Sequence, residues 1–187
     1  METKKDLRII KTEKALYQAL LKLLKDKSFE EIKVADICNE AFVNRSTFYA
    51  HYNDKYDLLV NFINDLKENL LIAIEQNNYD VNSKAYYLEM IRLILDHLDS
   101  EKDIYHSILV NNRSSVIIDI LIEVAVKDIN KRIEIGNINK GNVPTDIFVK
   151  FYLGAVFNVG IEWLSNKDKY SKEEILEYLK ELLPDVM

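Results

Sequence analysis

Apolar residues recur every three or four positions along most of this chain, the period of helices with one buried face. Leu16, Ala19, Leu20, Leu23 and Leu24 predict a first helix over about 7–26, with Lys11, Lys14, Lys22 and Lys25 on its other faces. Phe29 and Ile32 follow as plugs beneath a smaller unit. Val34, Ile37, Cys38 and Ala41 share one face of a second helix over 33–41, with Asp36 in its first turn, where a negative charge suits the helix dipole. Val43 fills a tight turn, and Phe48, Tyr49 and Tyr52 carry the pattern into a third helix over 44–52, with Asn44 placed to cap it. Asn53-Asp54 opens a fourth helix over 55–76, whose inward residues are Leu58, Leu59, Phe62, Ile63, Leu66, Leu70 and Ile74. Its length lets it join a front unit to a back unit.

Five more helices are expected beyond a polar break at 77–80, over about 83–98, 101–110, 114–135, 144–164 and 171–183. Ser100 with Asp103 reads as a capping pair for the sixth, and Ser171 with Glu174 as a capping box for the ninth. Breaks fall at 111–113 and in the Gly-containing loop 136–144; Pro144 suits the first turn of the eighth helix, and Pro184 stops the ninth. The expected fold is therefore all-α, about nine helices, with an N-terminal three-helix unit over 1–54 and a helical body over 55–187.

Composition agrees with that reading. Four Gly and two Pro in 187 residues favour long helices and short connections. The single cysteine, Cys38, allows no disulfide framework and fits a reducing cytoplasm; on the apolar face of its helix it is a packed thiol. The N-terminus METKKDLRII lacks the apolar segment of a signal peptide, and no apolar run is expected to span a membrane. The net charge of −6 hides an asymmetry. Residues 1–67 hold 12 Lys and Arg against 11 Asp and Glu, whereas residues 68–187 hold 13 against 20.

The third helix carries the most informative surface. It is barely two turns long, so neighbours must hold it. Its outward residues, Arg45, Ser46, Thr47, Ala50 and His51, are small, hydroxylic or basic, with no carboxylate. That suits an element entering a DNA major groove, where Arg reads guanine, hydroxyls bind phosphates and a carboxylate is repelled. No GxGxxG, P-loop, HExxH, CxxC or GxSxG is present, and the three histidines do not form a metal set, so neither enzyme, cofactor nor metal is expected. The eighth helix, FYLGAVFNVGIEWL, places Gly154, Ala155 and Gly160 among large apolar residues. Gly costs a helix about 1 kcal/mol against Ala, which close approach of another helix explains. With the amphipathic ninth helix this predicts a face that pairs with its copy, drawn from Gly154, Phe157, Ile161, Leu176 and Leu179. Aromatic residues gather in the back half (Tyr86, Tyr87, Tyr105, Tyr152, Trp163, Tyr170). Core packing explains any one of them, and Tyr87, Met90, Ile94, Tyr105 and Phe151 are the candidates for a small-molecule pocket.

These residues resemble the DNA-binding segment of TetR/AcrR-type bacterial regulators, close to T-V-x-D-I-A-x-x-A-G-V-S-x-x-T-F-Y-x-H-F-x-x-K-x-x-L-L. Val34, Asp36, Ile37, Ala41, Val43, Thr47, Phe48, Tyr49, His51, Tyr52, Lys55, Leu58 and Leu59 carry the likeness over roughly residues 9–69. FYLGAVFNVGIEWLSN and YSKEEILEYL also resemble a subgroup that includes regulators of dihydroxyacetone kinase operons. The resemblance implies a cytoplasmic homodimer that binds double-stranded DNA at a near-palindromic operator, as a repressor or an activator, with a small organic effector in the body. An adaptor of the same fold working by protein contact is the alternative. It further implies that Arg45 and Ser46 face base edges. Thr47, Tyr49 and His51 would hold phosphates or a thymine methyl, and Lys55 would hold a phosphate. Two departures stand out: Phe42 occupies the turn position where the family has Gly, and Lys33 occupies the second helix's cap, losing a hydroxyl but adding a cation for phosphate.

Overall fold

The computed structural model describes residues 7–75, 83–111, 115–136, 142–166 and 168–183. The expected breaks at 77–80 and 112–113, most of the loop 136–144, and Pro184 lie outside the described residues. Among those described there are nine α-helices and no strand. They are α1 (Leu7–Leu23), α2 (Val34–Glu40), α3 (Arg45–His51), α4 (Lys55–Glu75), α5 (Lys84–Ser100), α6 (Lys102–His106), α7 (Ser115–Gly136), α8 (Thr145–Ser165) and α9 (Lys172–Leu182). The order and type match the hydrophobic pattern, with ends within a few residues of those expected.

Local chemistry accounts for several boundaries. The Asp54 carboxylate accepts from the backbone N–H groups of Tyr56 and Asp57 at 2.8 and 2.9 Å, while the Asp57 carboxylate accepts from the N–H of Asn53 at 2.9 Å, closing the start of α4. At α9, the Ser171 N–H donates to the Glu174 carboxylate at 2.8 Å and the Glu174 N–H to the Ser171 hydroxyl at 3.2 Å, the expected capping box. The pair proposed at Ser100 and Asp103 is not formed. Ser100 ends α5, its hydroxyl donating back to the carbonyl of His97 at 2.8 Å, and Glu101 precedes α6 without a side-chain cap. Nor does the sixth helix stay regular: after His106 it widens into a π-turn, Ser107–Asn111. Pro144 lies one position ahead of α8, as its N-cap, rather than within the first turn.

Helices α1, α2 and α3 form the front unit around Leu16, Leu20, Phe29, Ile32, Ile37 and Phe48, all essentially without solvent contact. Helix α4 belongs to both halves. Leu58 and Leu59 seal the front core, and Ile74 is buried farther along, where α4 packs on α5 and α7. A second tie runs from the π-turn to the front unit, where the Ser107 hydroxyl donates to the carbonyl of Lys25 at 2.7 Å. In the body, α5 packs on α9 and α7 on α8. The α5–α9 seam carries an ion-pair chain in which Arg92 binds Glu89 and Asp96, and Asp96 also takes Lys172 of α9.

Helix α8 corrects one expectation. By length and composition it is apolar enough to cross a membrane, yet only 22% of that stretch is buried within the subunit. Its neighbours in the chain thus leave much of an apolar helix uncovered.

Candidate nucleic-acid interface

The turn between α2 and α3 sets how α3 is presented. The N–H of Phe42 reaches the carbonyl of Asn39 at 3.3 Å, and the N–H of Val43 reaches that of Cys38 at 2.9 Å. This paired closure of a helix end requires a left-handed residue at its corner. Phe42 supplies it, with φ of 56°, the only non-glycine positive φ among the described residues. The geometry that glycine serves elsewhere is thus kept, and the strain is carried by a ring that is 96% exposed. The left-handed region costs an ordinary residue about 1–2 kcal/mol, and glycine's greater freedom in the unfolded chain returns part of that difference. Phe42→Gly is therefore expected to stabilise the protein by about 1 kcal/mol, read as a higher denaturant midpoint with unchanged slope.

Helix α3 is anchored by Phe48, fully buried, whose ring meets those of Tyr49 and Tyr52 with centroids 5.4 and 5.8 Å away. Burial also holds the Cys38 thiol and the Tyr52 phenol above their ordinary pKa values, so both stay protonated; the Arg45 charge partly opposes the effect on Cys38. Opposite Phe48, Arg45, Ser46, Tyr49 and Ala50 are exposed and Thr47 is half-buried. No carboxylate is paired with Arg45 among the described residues. Asn44 occupies the N-cap and accepts the Phe48 N–H on its carbonyl at 3.0 Å, but its side chain makes no cap bond and stays exposed. Lys33 is likewise exposed at the start of α2; its side chain makes no cap bond, and the Asp36 carboxylate accepts the Lys33 N–H at 3.0 Å, tying the first turn from the other side.

Two of the predicted contacts are placed otherwise. The His51 side chain is 17% exposed, its Nδ1 4.0 Å from the carboxylate of Glu13 on α1, so it faces the protein more than a duplex. Lys55 departs further. Its ammonium donates to three backbone carbonyls of the α1–α2 loop, Phe29 at 2.7 Å, Ile32 at 2.9 Å and Glu30 at 3.0 Å, and lies 4.8 Å from the Phe29 ring centroid. An ammonium has three protons, and all three are used. Lys55 therefore ties the loop to the start of α4 and has no donor left for a phosphate.

The body residues also separate. Tyr105 is buried, and its hydroxyl meets His97 Nε2 at 2.5 Å; burial raises the pKa of the Tyr105 phenol and lowers that of the His97 imidazole. Tyr87 is buried, while Ile94 and Phe151 are exposed, so the five pocket candidates do not line one cavity. Two shallow depressions among the described residues involve none of them. One lies between α1 and the end of α2 beside Phe42, the other at the start of α9 beside Trp163. Leu179 is buried in the subunit's own core and is unavailable to a partner copy, whereas Gly154, Phe157, Ile161 and Leu176 are half-buried. The five residues expected at the pairing face leave out the most exposed apolar ones of these helices: Ile147 and Phe151, the latter expected in a pocket, one turn apart on α8, and Tyr178 and Leu182, on the expected apolar side of α9, one turn apart. Their i, i+4 spacing was the available signal.

A short helix held by its buried ring, with an exposed basic and hydroxylic side and a capped turn before it, defines a helix-turn-helix DNA-binding regulator. Residues 16–61 match the family described as bacterial regulatory proteins, tetR family, and residues 86–185 match that described as transcriptional regulator C-terminal region. The second match alone spans more than half the chain: the protein belongs to the TetR family of transcriptional regulators. The solved structure of a TetR transcriptional regulator from Streptococcus agalactiae is 27% identical, with a TM-score of 0.65 over 95% of this chain and 96% of that one. FadR of Thermus thermophilus, a TetR-family transcriptional repressor solved in complex with lauroyl-CoA, shares the fold at 16% identity and a TM-score of 0.59, over 91% of this chain and 92% of that one. The uncharacterized HTH-type transcriptional regulator YxbF of Bacillus subtilis is 40% identical over 53 residues, 28% of this chain and 14% of that protein.

Proposed function

We propose that the protein is a cytoplasmic repressor that binds a near-palindromic operator as a homodimer, with one α3 in each of two successive major grooves. The observation that carries this reading is the side of α3 on which Arg45, Ser46 and Tyr49 are exposed and Arg45 has no carboxylate partner among the described residues. A front unit with nearly balanced charge neutralises few phosphates, so two half-sites are needed for affinity. Pairing falls to α8 and α9. Among the described residues the space beside Gly154 and Gly160 is open, which leaves room for the close approach of a second copy. The acyl-CoA ligand of the distant FadR relative supports a small organic effector in the body, acting by shifting the spacing of the two reading helices. The likeness of segments 151–166 and 170–179 to regulators of dihydroxyacetone kinase operons makes adjacent metabolic genes the first targets to examine.

The test is selection of duplexes from a random pool with the purified protein. Arg45→Ala is then expected to weaken the selected site about 10- to 100-fold and to relax preference at one base position per half-site, while Tyr49→Phe weakens binding less and more evenly. Recovery of no preferred duplex would favour the adaptor reading. A reporter fused to the selected site separates repression from activation.

A further inference from the structure

Three polar side chains that play no part in the face described above form a chain through the front unit. Tyr52 is the first residue after α3, in extended conformation, and its N–H is held by the carbonyl of Phe48 at 2.9 Å. Its phenol is buried and donates to the phenol oxygen of Tyr17 on α1 at 3.3 Å. The Tyr17 phenol donates in turn to Oδ2 of Asp65 on α4 at 2.8 Å. A carboxylate only accepts, so the direction of both bonds is fixed from the reading helix toward α4. Tyr17 is the one link common to both, and its ring is wedged against Phe62 of α4 with centroids 5.3 Å apart. Burial holds both phenols protonated at ordinary pH.

We propose that Tyr17 and Tyr52 are positioning residues that hold α3 in its DNA-reading place only while α4 keeps Asp65 within reach. The inference rests on the DNA-binding reading above. Its mechanics follow from where α4 is fastened. Lys55 pins the first residue of α4 to the α1–α2 loop, and the far end of the helix packs on α5 and α7 in the body. Asp65 stands ten residues beyond the pin, roughly 15 Å along the axis at 1.5 Å per residue. A tilt of about 4° around the pin displaces Asp65 by roughly 1 Å, enough to break a hydrogen bond of ordinary length. Motion of the body is thereby reported to the end of the reading helix through two phenols.

The experiment compares Tyr17→Phe, Tyr52→Phe, their double variant, Asp65→Asn and Asp65→Ala. Binding to the selected operator and to random DNA is measured at a temperature where thermal melts show every variant fully folded. Each Tyr→Phe change is expected to weaken operator binding about tenfold, the double variant no more than either single one, since all three break the same chain. Random-DNA affinity and the salt slope stay unchanged, because no phosphate contact is lost. Asp65→Asn retains an acceptor and binds as the parent protein, whereas Asp65→Ala behaves as Tyr17→Phe. A role confined to stability would lower the melting temperature and leave operator affinity intact in the folded protein. That result, multiplying effects in the double variant, or equal loss in Asp65→Asn and Asp65→Ala each overturn the proposal while leaving DNA binding standing. Failure of the parent protein to bind any selected duplex overturns both together.

Discussion

Replacing Lys55 with alanine is expected to destabilise the protein by about 2–3 kcal/mol, a fall in melting temperature of about 5–10 °C for a chain of this length. The ammonium satisfies three carbonyls that converge on it from the loop after α1, and it sits over the Phe29 ring. Hydrogen bonds from a charged donor are the stronger kind, and water reaching the partly exposed site recovers only a fraction of them. Lys55→Arg is expected to restore little, since a planar fork cannot replace a compact donor at the meeting point of three carbonyls. Lys55→Met separates stem from charge: it keeps the packing and loses the bonds. DNA binding supplies the contrast with a phosphate role. A phosphate ligand would lower the salt slope by about 0.9 per contact when removed, whereas a structural tie leaves the slope alone and weakens binding through the fold. A reduced slope with an unchanged melting temperature would return Lys55 to the interface.

Phe151→Asp is the second large effect. Phe151 is 68% exposed on the subunit and so contributes little to its fold. In a two-fold contact the substitution would appear twice, placing two carboxylates in an apolar face. The expected result is a monomer of unchanged helical content in sedimentation, with operator affinity lower by more than about 100-fold because one half-site is lost. Leu179→Asp supplies the control. That residue is buried within the subunit, so its change should unfold the body rather than split a folded pair. A Phe151→Asp protein that sediments as the parent does and still holds the operator would place the contact elsewhere.

Much of the fold could be read before any coordinates because helices announce themselves locally. The 3.6-residue stripes of α1, α4 and α5, the Ser171–Glu174 box and the Asp54 cap are all written within a few residues of where they act. The exposed side of α3 was legible for the same reason, since the exposure of Arg45, Ser46 and Tyr49 follows from the phase of Phe48 on one short helix. What failed depends on distant parts of the chain. The partners of Lys55 are carbonyls that the loop delivers from 23 to 26 residues upstream, and no property of the residue itself reveals them. His51 has the right phase for the duplex but meets Glu13 of α1. The π-turn at Ser107–Asn111 lies where the chain docks on Lys25, a tertiary contact that a local pattern does not encode. Leu179 shows the limit of amphipathic patterns: they tell which side of α9 is apolar, not whether the subunit or its copy covers it. The hydroxyls of Tyr17 and Tyr52 were hidden for a related reason, because at helical spacing a tyrosine looks like any other core ring.

The strained corner at Phe42 has a consequence for how this protein can change. A selection for heat resistance, blind to design, should return substitutions at that codon early, because relief there disturbs no buried neighbour. Glycine and asparagine, the residues most at ease with a left-handed backbone, are the replacements such a screen should enrich.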